Sequence, residues 1–285
     1  MKLSEAYEVY EIDKRILGYS EYTFKAYRIQ NNLLIKHFGN ADVETITYSQ
    51  LKQYLGKDAQ RLKPSSLGHR VRFLRSLFRY LHEEGLIPNN PASKLREPKN
   101  EQRIPKYVKQ EDLECLREYC KIPLEHCLLE LMYSSGMRVG EVFSVDIAHI
   151  DWDRRSIVVF GKGSKEREVY FSVKCKYWLK KYIDSRSDEN PALFITQRKQ
   201  SGEYKRLSIH QMRWTLKQIA KRSSINVNIY PHRMRHSLAQ SLLNNDCPIE
   251  MIQSILGHSK IETTKLYLYL HGDKRREVYN RYFLG

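Results

Sequence analysis

The sequence predicts a mainly α-helical chain of two domains, with a small antiparallel β-sheet in the second domain. Its 285 residues exceed the ~100–200 residues typical of a single core. Through most of the chain, apolar residues recur with the 3.6-residue period of helices. One pair of short runs rich in β-branched and aromatic residues flanks a glycine-containing turn, which indicates a β-hairpin.

Residues 1–96 are predicted to form a helical domain. The segment from Thr47 to Gln50 matches a capping box, so a helix is expected to begin there. Another helix is predicted from Leu67 to Leu81, capped by Ser65 or Ser66. Seven residues at helical spacing form its apolar face: Leu67, Val71, Phe73, Leu74, Leu77, Phe78 and Leu81.

Three arginines, Arg72, Arg75 and Arg79, cluster on the opposite face of this helix. The sequence has no acidic residue between positions 59 and 82. We therefore expect an uncompensated stripe of guanidinium groups, suited to the phosphates or guanine edges of DNA. The alternative is an ordinary solvated face, although arginines without acids four residues away stabilise a lone helix poorly.

The composition changes after this domain. Residues 97–106 are polar, contain two prolines and show no periodicity. We place the linker there and the second domain at 107–285. That domain opens with two helical patterns, Gln110–Cys120 and Leu124–Ser134. The predicted strands follow at Ile157–Phe160 and Glu168–Phe171, and helices resume near Ser172.

The chain is strongly basic. Lys and Arg number 49 against 33 Asp and Glu, which gives a formal net charge of +16 and a pI near 9.5. Residues 1–100 hold 17 cations against 11 acids, and the remainder holds 32 against 22. This balance favours a polyanionic partner, although charge alone fits high solubility or nonspecific RNA contact equally well.

Several classes of protein are disfavoured. No run of ~18 apolar residues is present and the first residues lack a signal-peptide pattern, so we expect a cytoplasmic protein that does not enter membranes. The cysteines form no Cys-x-x-Cys pair, which argues against disulfides and structural zinc. We expect five reduced thiols, mostly in the core: Cys115, Cys120, Cys127, Cys175 and Cys247.

Two motifs near the predicted hairpin carry reactive side chains. In SSGMRVGE, Gly136 can end one helix, Arg138 begins the next, and Glu141 follows one turn later to hold the arginine. Lys162 lies in the hairpin turn. Each has an ordinary explanation, because an Arg near a Glu is usually a surface ion pair and a lysine in a turn is usually solvated.

Two further motifs lie near the end of the chain. YPHRMRHS places His232 and Arg235 on one helical face, and in LGHSKIETTKLYLYL His258 precedes Tyr267 by nine residues. His232 and His236 have the spacing of a zinc pair, but the glutamate of a metalloprotease and a third ligand are lacking. A tyrosine in an apolar helix is usually a core residue.

The order of these residues closely resembles the catalytic set of the tyrosine recombinase (phage integrase) family. The resemblance spans about 105–275 and, more loosely, the domain before it. It implies a helical DNA-binding domain and an integrase-like catalytic domain in a clamp architecture. It also implies cleavage and rejoining of DNA through a 3′-phosphotyrosine and a Holliday junction. By resemblance the catalytic residues are Arg138, Lys162, His232, Arg235, His258 and Tyr267, with Glu141 as a supporting acid and His236 as a structural neighbour.

The chemistry agrees with these roles. Arg138 and Arg235 can bind the nonbridging oxygens of a phosphodiester under attack, and His258 can donate to them. The phenol of Tyr267 has an ordinary pKa of ~10 and needs a cationic pocket or a base, for which His232 is best placed. Lys162 can protonate the leaving 5′ oxygen. Because the exchanged phosphodiesters are nearly isoenergetic, we expect no cofactor and no metal.

Alternatives remain open. A non-catalytic DNA-binding regulator would show gaps in the catalytic set, and there are none. A metal-dependent nuclease needs grouped carboxylates, whereas Asp146, Asp151 and Asp153 alternate through a predicted strand and turn. Tyr269 lies two residues beyond Tyr267, on a different helical face, and is the competing nucleophile.

The length resembles that of the minimal two-domain recombinases, without an additional arm-binding domain. Such enzymes resolve chromosome dimers in the host, or resolve transposon cointegrates and move elements. The segment from Leu243 to Leu270 favours a transposon-borne cointegrate resolvase, with a host chromosome-dimer recombinase as the alternative. The expected partner is double-stranded DNA with paired inverted recognition motifs.

The C-terminus, 273–285, is predicted to be an interaction helix. His271 and Gly272 form a helix stop and Asp273 a new N-cap. The segment carries an apolar load that is unusual for a chain end. The resemblance implies docking on a neighbouring subunit in a tetramer on two DNA sites, and docking on its own domain is the alternative.

Overall fold

The chain divides into two compact units, Met1–Gln102 and Arg103–Gly285. Their boundary falls between residues 102 and 103. The structure is a computed structural model that describes residues 1–99, 105–160 and 166–257, and near the C-terminus Thr264, Tyr279, Asn280 and Phe283.

The first unit consists of helices around one apolar core. Their bounds are α1 Leu3–Ile16, α2 Glu21–Phe38, a 3-10 helix Val43–Thr45, α3 Tyr48–Ala59 and α4 Pro64–Glu83. The predicted apolar face of α4 turns into this core: Leu67 is partly buried and the other six residues are buried. Helical periodicity therefore predicted the packing of α4 correctly.

The starts of α3 and α4 test the predicted caps. The Thr47 hydroxyl accepts the Gln50 amide at 3.3 Å, and the Gln50 side chain accepts the Thr47 amide at 2.8 Å, so the capping box is confirmed. The prediction that Ser65 or Ser66 caps the next helix is wrong, because α4 already begins at Pro64. Proline suits the first helical position because its ring fixes φ and its missing N–H needs no partner there.

The second unit is also mainly helical in its described part. Its elements are α5 Gln110–Glu118, α6 Pro123–Ser135, α7 Val139–Ser144, a 3-10 helix Ile147–His149, β1 Ile150–Asp151, β2 Ser156–Phe160, β3 Glu166–Tyr170, α8 Val173–Asp184, α9 Ile209–Arg222, α10 Pro231–Asn244 and α11 Ile249–Leu256.

The three strands form an antiparallel sheet in the order β1-β2-β3. Ile157 on β2 pairs with Ile150 on β1 and with Val169 on β3, and all three residues are buried. The predicted hairpin is confirmed, and its turn, 161–165, lies outside the described residues. β1 is absent from the prediction because two residues are too few to show a period.

Helix α6 is the central helix of the second unit. Most of its residues are buried, and it packs against α8, α9, α10 and β3. A helix that is buried on nearly all sides belongs to the core. The turn that follows Ser135 is therefore anchored from several directions.

The predicted fold class, mainly α with a small antiparallel sheet, is confirmed. The clamp concerns how the two units hold DNA, and it stays a prediction. No helix in the described part of the chain is both long and apolar enough to cross a membrane.

All five cysteines are free thiols, as expected. Cys120, Cys127 and Cys175 are buried, and burial raises the pKa of the Cys120 thiol to about 12. Cys115 and Cys247 are partly exposed. The sequence-based expectation of mostly core thiols therefore holds for three of the five.

Candidate active site

The turn between α6 and α7 is tightly enclosed. Helix α6 ends at Gly136, which adopts a left-handed φ of +59°. A Cβ atom at this position would lie 2.7 Å from Leu238 Cδ2 and 3.0 Å from Leu256 Cδ2. Glycine is therefore required both by the backbone conformation and by the close approach of α10 and α11.

Arg138 and Glu141 are joined at the start of α7. The Arg138 amide donates to Glu141 Oε2 at 2.7 Å, and Arg138 Nη1 donates to Glu141 Oε1 at 2.8 Å. Burial by itself raises the pKa of the Glu141 carboxyl, but hydrogen bonds from Arg138 and the charge of Arg167 bring it below its usual value. A buried carboxylate thus holds the Arg138 guanidinium.

Arg167 on β3, which none of the sequence motifs contains, completes this cluster. Its Nη2 donates to Glu141 Oε2 at 2.8 Å, and its Nη1 donates to the Ile255 carbonyl at 2.7 Å. Along the strand, Arg167 shares a face with the fully buried Val169. Arg167 directly precedes the predicted strand Glu168–Phe171, two residues before Val169, and this spacing was the available signal, because unpaired arginines are rarely buried.

Helix α10 carries His232 and Arg235 toward the same turn. Arg235 is only 3% exposed; its Nη1 donates to the Gly136 carbonyl at 2.5 Å and its Nη2 to the Leu256 carbonyl. The protein atoms around His232, and then the charges of Arg235 and Arg138, lower the pKa of its imidazole. His232 is therefore neutral near pH 7 and can accept a proton.

One turn further along α10, His236 is partly buried. Burial, followed by the electrostatic effects of His232 and Arg235, lowers the pKa of His236 to about 4. This imidazole is neutral at physiological pH and packs beside the cationic cluster.

The C-terminal end of α11 is the meeting point of the three arginines described above. Helix α11 stops at Gly257, which has a left-handed φ of +61°. Arg138 Nη2 donates to the Gly257 carbonyl at 3.1 Å. The guanidinium groups therefore converge on the carbonyls of residues 255–257. His258 follows directly in the chain.

Three residues of the predicted catalytic set, Lys162, His258 and Tyr267, lie outside the described residues, as does Tyr269. Between His258 and Tyr267 the structure describes Thr264, which is helical and fully buried. The other three, Arg138, His232 and Arg235, are brought together with Glu141.

The predicted arginine stripe lies in the first unit, on the exposed face of α4. Arg72, Arg75 and Arg79 line a surface cleft of about 390 Å³. The expectation that the stripe is uncompensated is wrong for Arg72, which forms an ion pair with Glu97. Only tertiary structure could reveal this pair, because Glu97 lies well beyond the end of α4.

The acidic residues considered for a nuclease have local roles. Asp146 pairs with Arg206, and Asp151 accepts the amides of Asp153 and Arg154 in the turn before β2. Within the described ranges, no group of three or more His, Cys, Asp or Glu residues is placed to hold a metal ion. These carboxylates therefore do not form the cluster that two-metal chemistry requires.

Solved structures of similar fold were found for this chain. The XerH site-specific recombinase bound to a palindromic difH substrate has a TM-score of 0.75 at 18% identity, covering 96% of this chain and 84% of that one. A Tn1549 transposon integrase in complex with a circular intermediate DNA has a TM-score of 0.74 at 17% identity, covering 99% of both chains. At these identities the structures show a shared fold.

Sequence comparison goes further than the fold. Residues 96–275 match the phage integrase family. The tyrosine recombinase XerC of Oceanobacillus iheyensis is 30% identical over 275 residues, which cover 91% of this chain and 89% of the relative. The chain therefore belongs to the phage integrase family and is a tyrosine recombinase, an enzyme that cleaves and rejoins DNA through a tyrosine.

Proposed function

We propose that this recombinase exchanges strands at a specific DNA site, with Tyr267 as the nucleophile and a 3′-phosphotyrosine as the intermediate. The observation that carries the proposal is the convergence of Arg138 and Arg235 at the helix end that precedes His258. Two guanidinium groups held there can bind the nonbridging oxygens of one phosphate, where negative charge grows in the transition state.

The contacts of the two arginines suit this task. The Arg138 side chain is 36% exposed, so a phosphate can reach it, whereas Arg235 is buried beneath the turn. Both are held by protein oxygens before substrate arrives, so little reorganisation is needed during reaction. The low local dielectric around a buried guanidinium also strengthens its attraction for the phosphate.

The proposed chemistry needs two proton transfers. As the Tyr267 oxygen bonds to phosphorus, its phenolic proton passes to the neutral imidazole of His232. The bond from phosphorus to the 5′ oxygen breaks, and Lys162 supplies the proton for that oxygen. Attack of a 5′ hydroxyl from the partner strand reverses both transfers, releases Tyr267, and produces the Holliday junction.

Trapping of the covalent adduct tests the nucleophile. We would mix the enzyme with a nicked DNA site in which the short fragment that bears the new 5′ hydroxyl diffuses away after cleavage, and map the labelled peptide. Tyr267→Phe should bind this DNA normally and form no adduct, while Tyr269→Phe, the matched control, should form it. A label on Tyr269 would refute the assignment, and absence of any adduct would favour a non-catalytic regulator.

The role of Lys162 has its own test. Replacement of the leaving 5′ oxygen by sulfur gives a group that departs without a proton. Lys162→Ala should cleave ordinary DNA slowly and the sulfur-substituted DNA at nearly the wild-type rate. If sulfur gives no recovery, Lys162 only positions the DNA.

We further propose that the enzyme assembles as a tetramer on two DNA sites, each with paired inverted motifs, through its C-terminal helix. The described residues Tyr279 and Phe283 are helical, with stacked rings 4.9 Å apart that are 53% and 69% exposed. Such an exposed aromatic pair supports a contact with another surface. Deletion of residues 278–285 should preserve binding to a single site and abolish cooperative assembly and recombination. Loss of single-site binding would instead indicate docking on its own domain.

The biological role has two candidates. Likeness to a XerC recombinase over 91% of the chain supports a host chromosome-dimer recombinase, whereas the transposon integrase shares only 17% identity. We therefore favour the host role over the cointegrate resolution that the segment from Leu243 to Leu270 favoured. Either role places the enzyme in the cytoplasm with the DNA. Covalent adducts mapped across the genome should fall at one chromosomal site, and adducts within a mobile element would support the transposon role.

A further inference from the structure

At the end of α11, every backbone carbonyl oxygen from residue 253 to residue 257 accepts a hydrogen bond. The last carbonyls of a helix have no partner within the helix and carry the negative end of its dipole. The Gly257 amide donates to the carbonyl oxygens of Gln253 and Ser254. The three that follow accept, in chain order, from Arg167, Arg235 and Arg138. Arg167 is the only one of these three arginines without a place in the catalytic set.

Arg167 connects three elements of the second unit. From β3 it donates to Glu141 on α7 at 2.8 Å and to the Ile255 carbonyl on α11 at 2.7 Å. Glu141 in turn binds the amide and the guanidinium of Arg138. Arg167 thus contacts Glu141, which binds a proposed phosphate ligand, and Ile255, which lies three residues before His258 in the sequence.

The glycine at the end of α11 makes room for this arginine. A Cβ atom on Gly257 would lie 2.6 Å from Arg167 Cδ and 2.9 Å from its Nε. The Arg167 side chain therefore lies directly against the backbone that leads into His258. A displacement of Arg167 would therefore affect both Glu141, which holds Arg138, and the end of α11.

We propose that Arg167 is a positioning residue for the cleavage reaction. It orients Arg138 through Glu141, and it sets the end of α11 through the Ile255 carbonyl. It does not touch the phosphate. This inference rests on the proposed role of Arg138 as a phosphate ligand.

The competing explanation is a structural ion pair that only stabilises the fold. The chain offers a matched example in Arg117 and Glu130 of the same unit, at 2.5 Å. The exposed fractions are 14% and 1% for that pair, against 13% and 5% for Arg167 and Glu141. Among the described contacts, Arg117 touches none of the proposed catalytic side chains.

The test compares Arg167→Gln with Arg117→Gln in the full-length enzyme. We would measure the unfolding midpoint, the affinity for site DNA, and the single-turnover rate of cleavage at saturating enzyme. Both variants should lose similar stability. For folded protein, Arg117→Gln should cleave within about twofold of wild type. Arg167→Gln should cleave about 100-fold more slowly, the size expected when a catalytic group is misplaced by ~1 Å.

A second substrate separates positioning from general damage. In a methylphosphonate, a methyl group replaces one nonbridging oxygen and removes the negative charge that Arg138 offsets. The ratio of wild-type to Arg167→Gln rates should fall at least tenfold on this substrate. An unchanged ratio, or equal cleavage by the two glutamine variants, would overturn the inference.

A third variant keeps the test decisive if Arg167→Gln does not fold. Arg167→Lys retains a charge for Glu141, but its single ammonium cannot reproduce the planar fork that reaches both acceptors. It should fold, and cleave about 10-fold more slowly on phosphate with recovery on methylphosphonate. Wild-type cleavage rates from Arg167→Lys would also overturn the inference. Failure of the proposed function itself is distinguishable, because wild-type enzyme would then form no adduct at Tyr267.

Discussion

Gly136→Ala tests the tight turn on which the candidate site is built. Two costs add at this position. A left-handed φ costs a non-glycine residue ~1–2 kcal/mol. The new methyl group also meets Leu238 Cδ2 at 2.7 Å and Leu256 Cδ2 at 3.0 Å, and overpacking of this kind costs ~1–3 kcal/mol. We therefore expect a loss of about 2–5 kcal/mol in the free energy of unfolding.

Gly202→Ala is the matched control. Gly202 also has a left-handed φ, +87°, in the same unit, but a Cβ atom there meets nothing within 4 Å. This variant should lose only the conformational part, about 1–2 kcal/mol. The difference between the two variants, about 1–3 kcal/mol, isolates the close approach of α10 and α11 to the turn.

Tryptophan fluorescence is a suitable measurement. The chain has three tryptophans, Trp152, Trp178 and Trp214, and all lie in the second unit. Urea unfolding monitored by tryptophan emission therefore reports on the unit that contains the turn. Gly136→Ala should also reduce cleavage, because the Gly136 carbonyl accepts Arg235 Nη1. If both variants unfold within about 0.5 kcal/mol of each other, the turn is not as tightly enclosed as the geometry indicates.

Three other predictions follow from the described contacts. Burial and the neighbouring cations lower the pKa of His236 to about 4, so protons bind the unfolded chain more tightly than the folded protein. The penalty is absent above pH 6.5 and grows to about 1–2 kcal/mol as the pH falls to 4.5, after a discount for partial exposure. Urea unfolding of His236→Gln at pH 7 and 4.5 should show a smaller difference than wild type. Glu141→Gln should cleave at least tenfold more slowly per folded molecule. Glu130→Gln, the control at another buried glutamate, should lose stability but keep its rate, and equal rates of the two variants in a single-turnover assay would contradict the role of Glu141. Arg75→Ala should lower the slope of log binding constant against log salt concentration by about 0.9. Arg72→Ala should lower it by less, because the Arg72 guanidinium is already paired with Glu97. An unchanged slope for Arg75→Ala would argue against a phosphate contact.

Much of the local structure could be predicted from the sequence. The capping box at Thr47, the apolar face of α4 and the glycine end of α6 follow from rules that act over a few residues. The start of α4 shows the limit of these rules, because two serines competed with Pro64 as signals for the first turn. Element types were therefore predicted better than element boundaries.

The sequence by itself determined the order of the proposed catalytic residues, the mainly helical character of the described parts of both units, and the hairpin whose connecting residues include Lys162. Those properties depend on residue type and on spacing along the chain. Only the tertiary structure decided that Arg167 joins Glu141, and that three arginines from α7, β3 and α10 meet the carbonyls at the end of α11. Likewise it decided that Arg72 pairs with Glu97. These contacts join residues 21 to 119 positions apart in the sequence. Their geometry is set by the packing of the cores, which periodicity and local motifs do not describe.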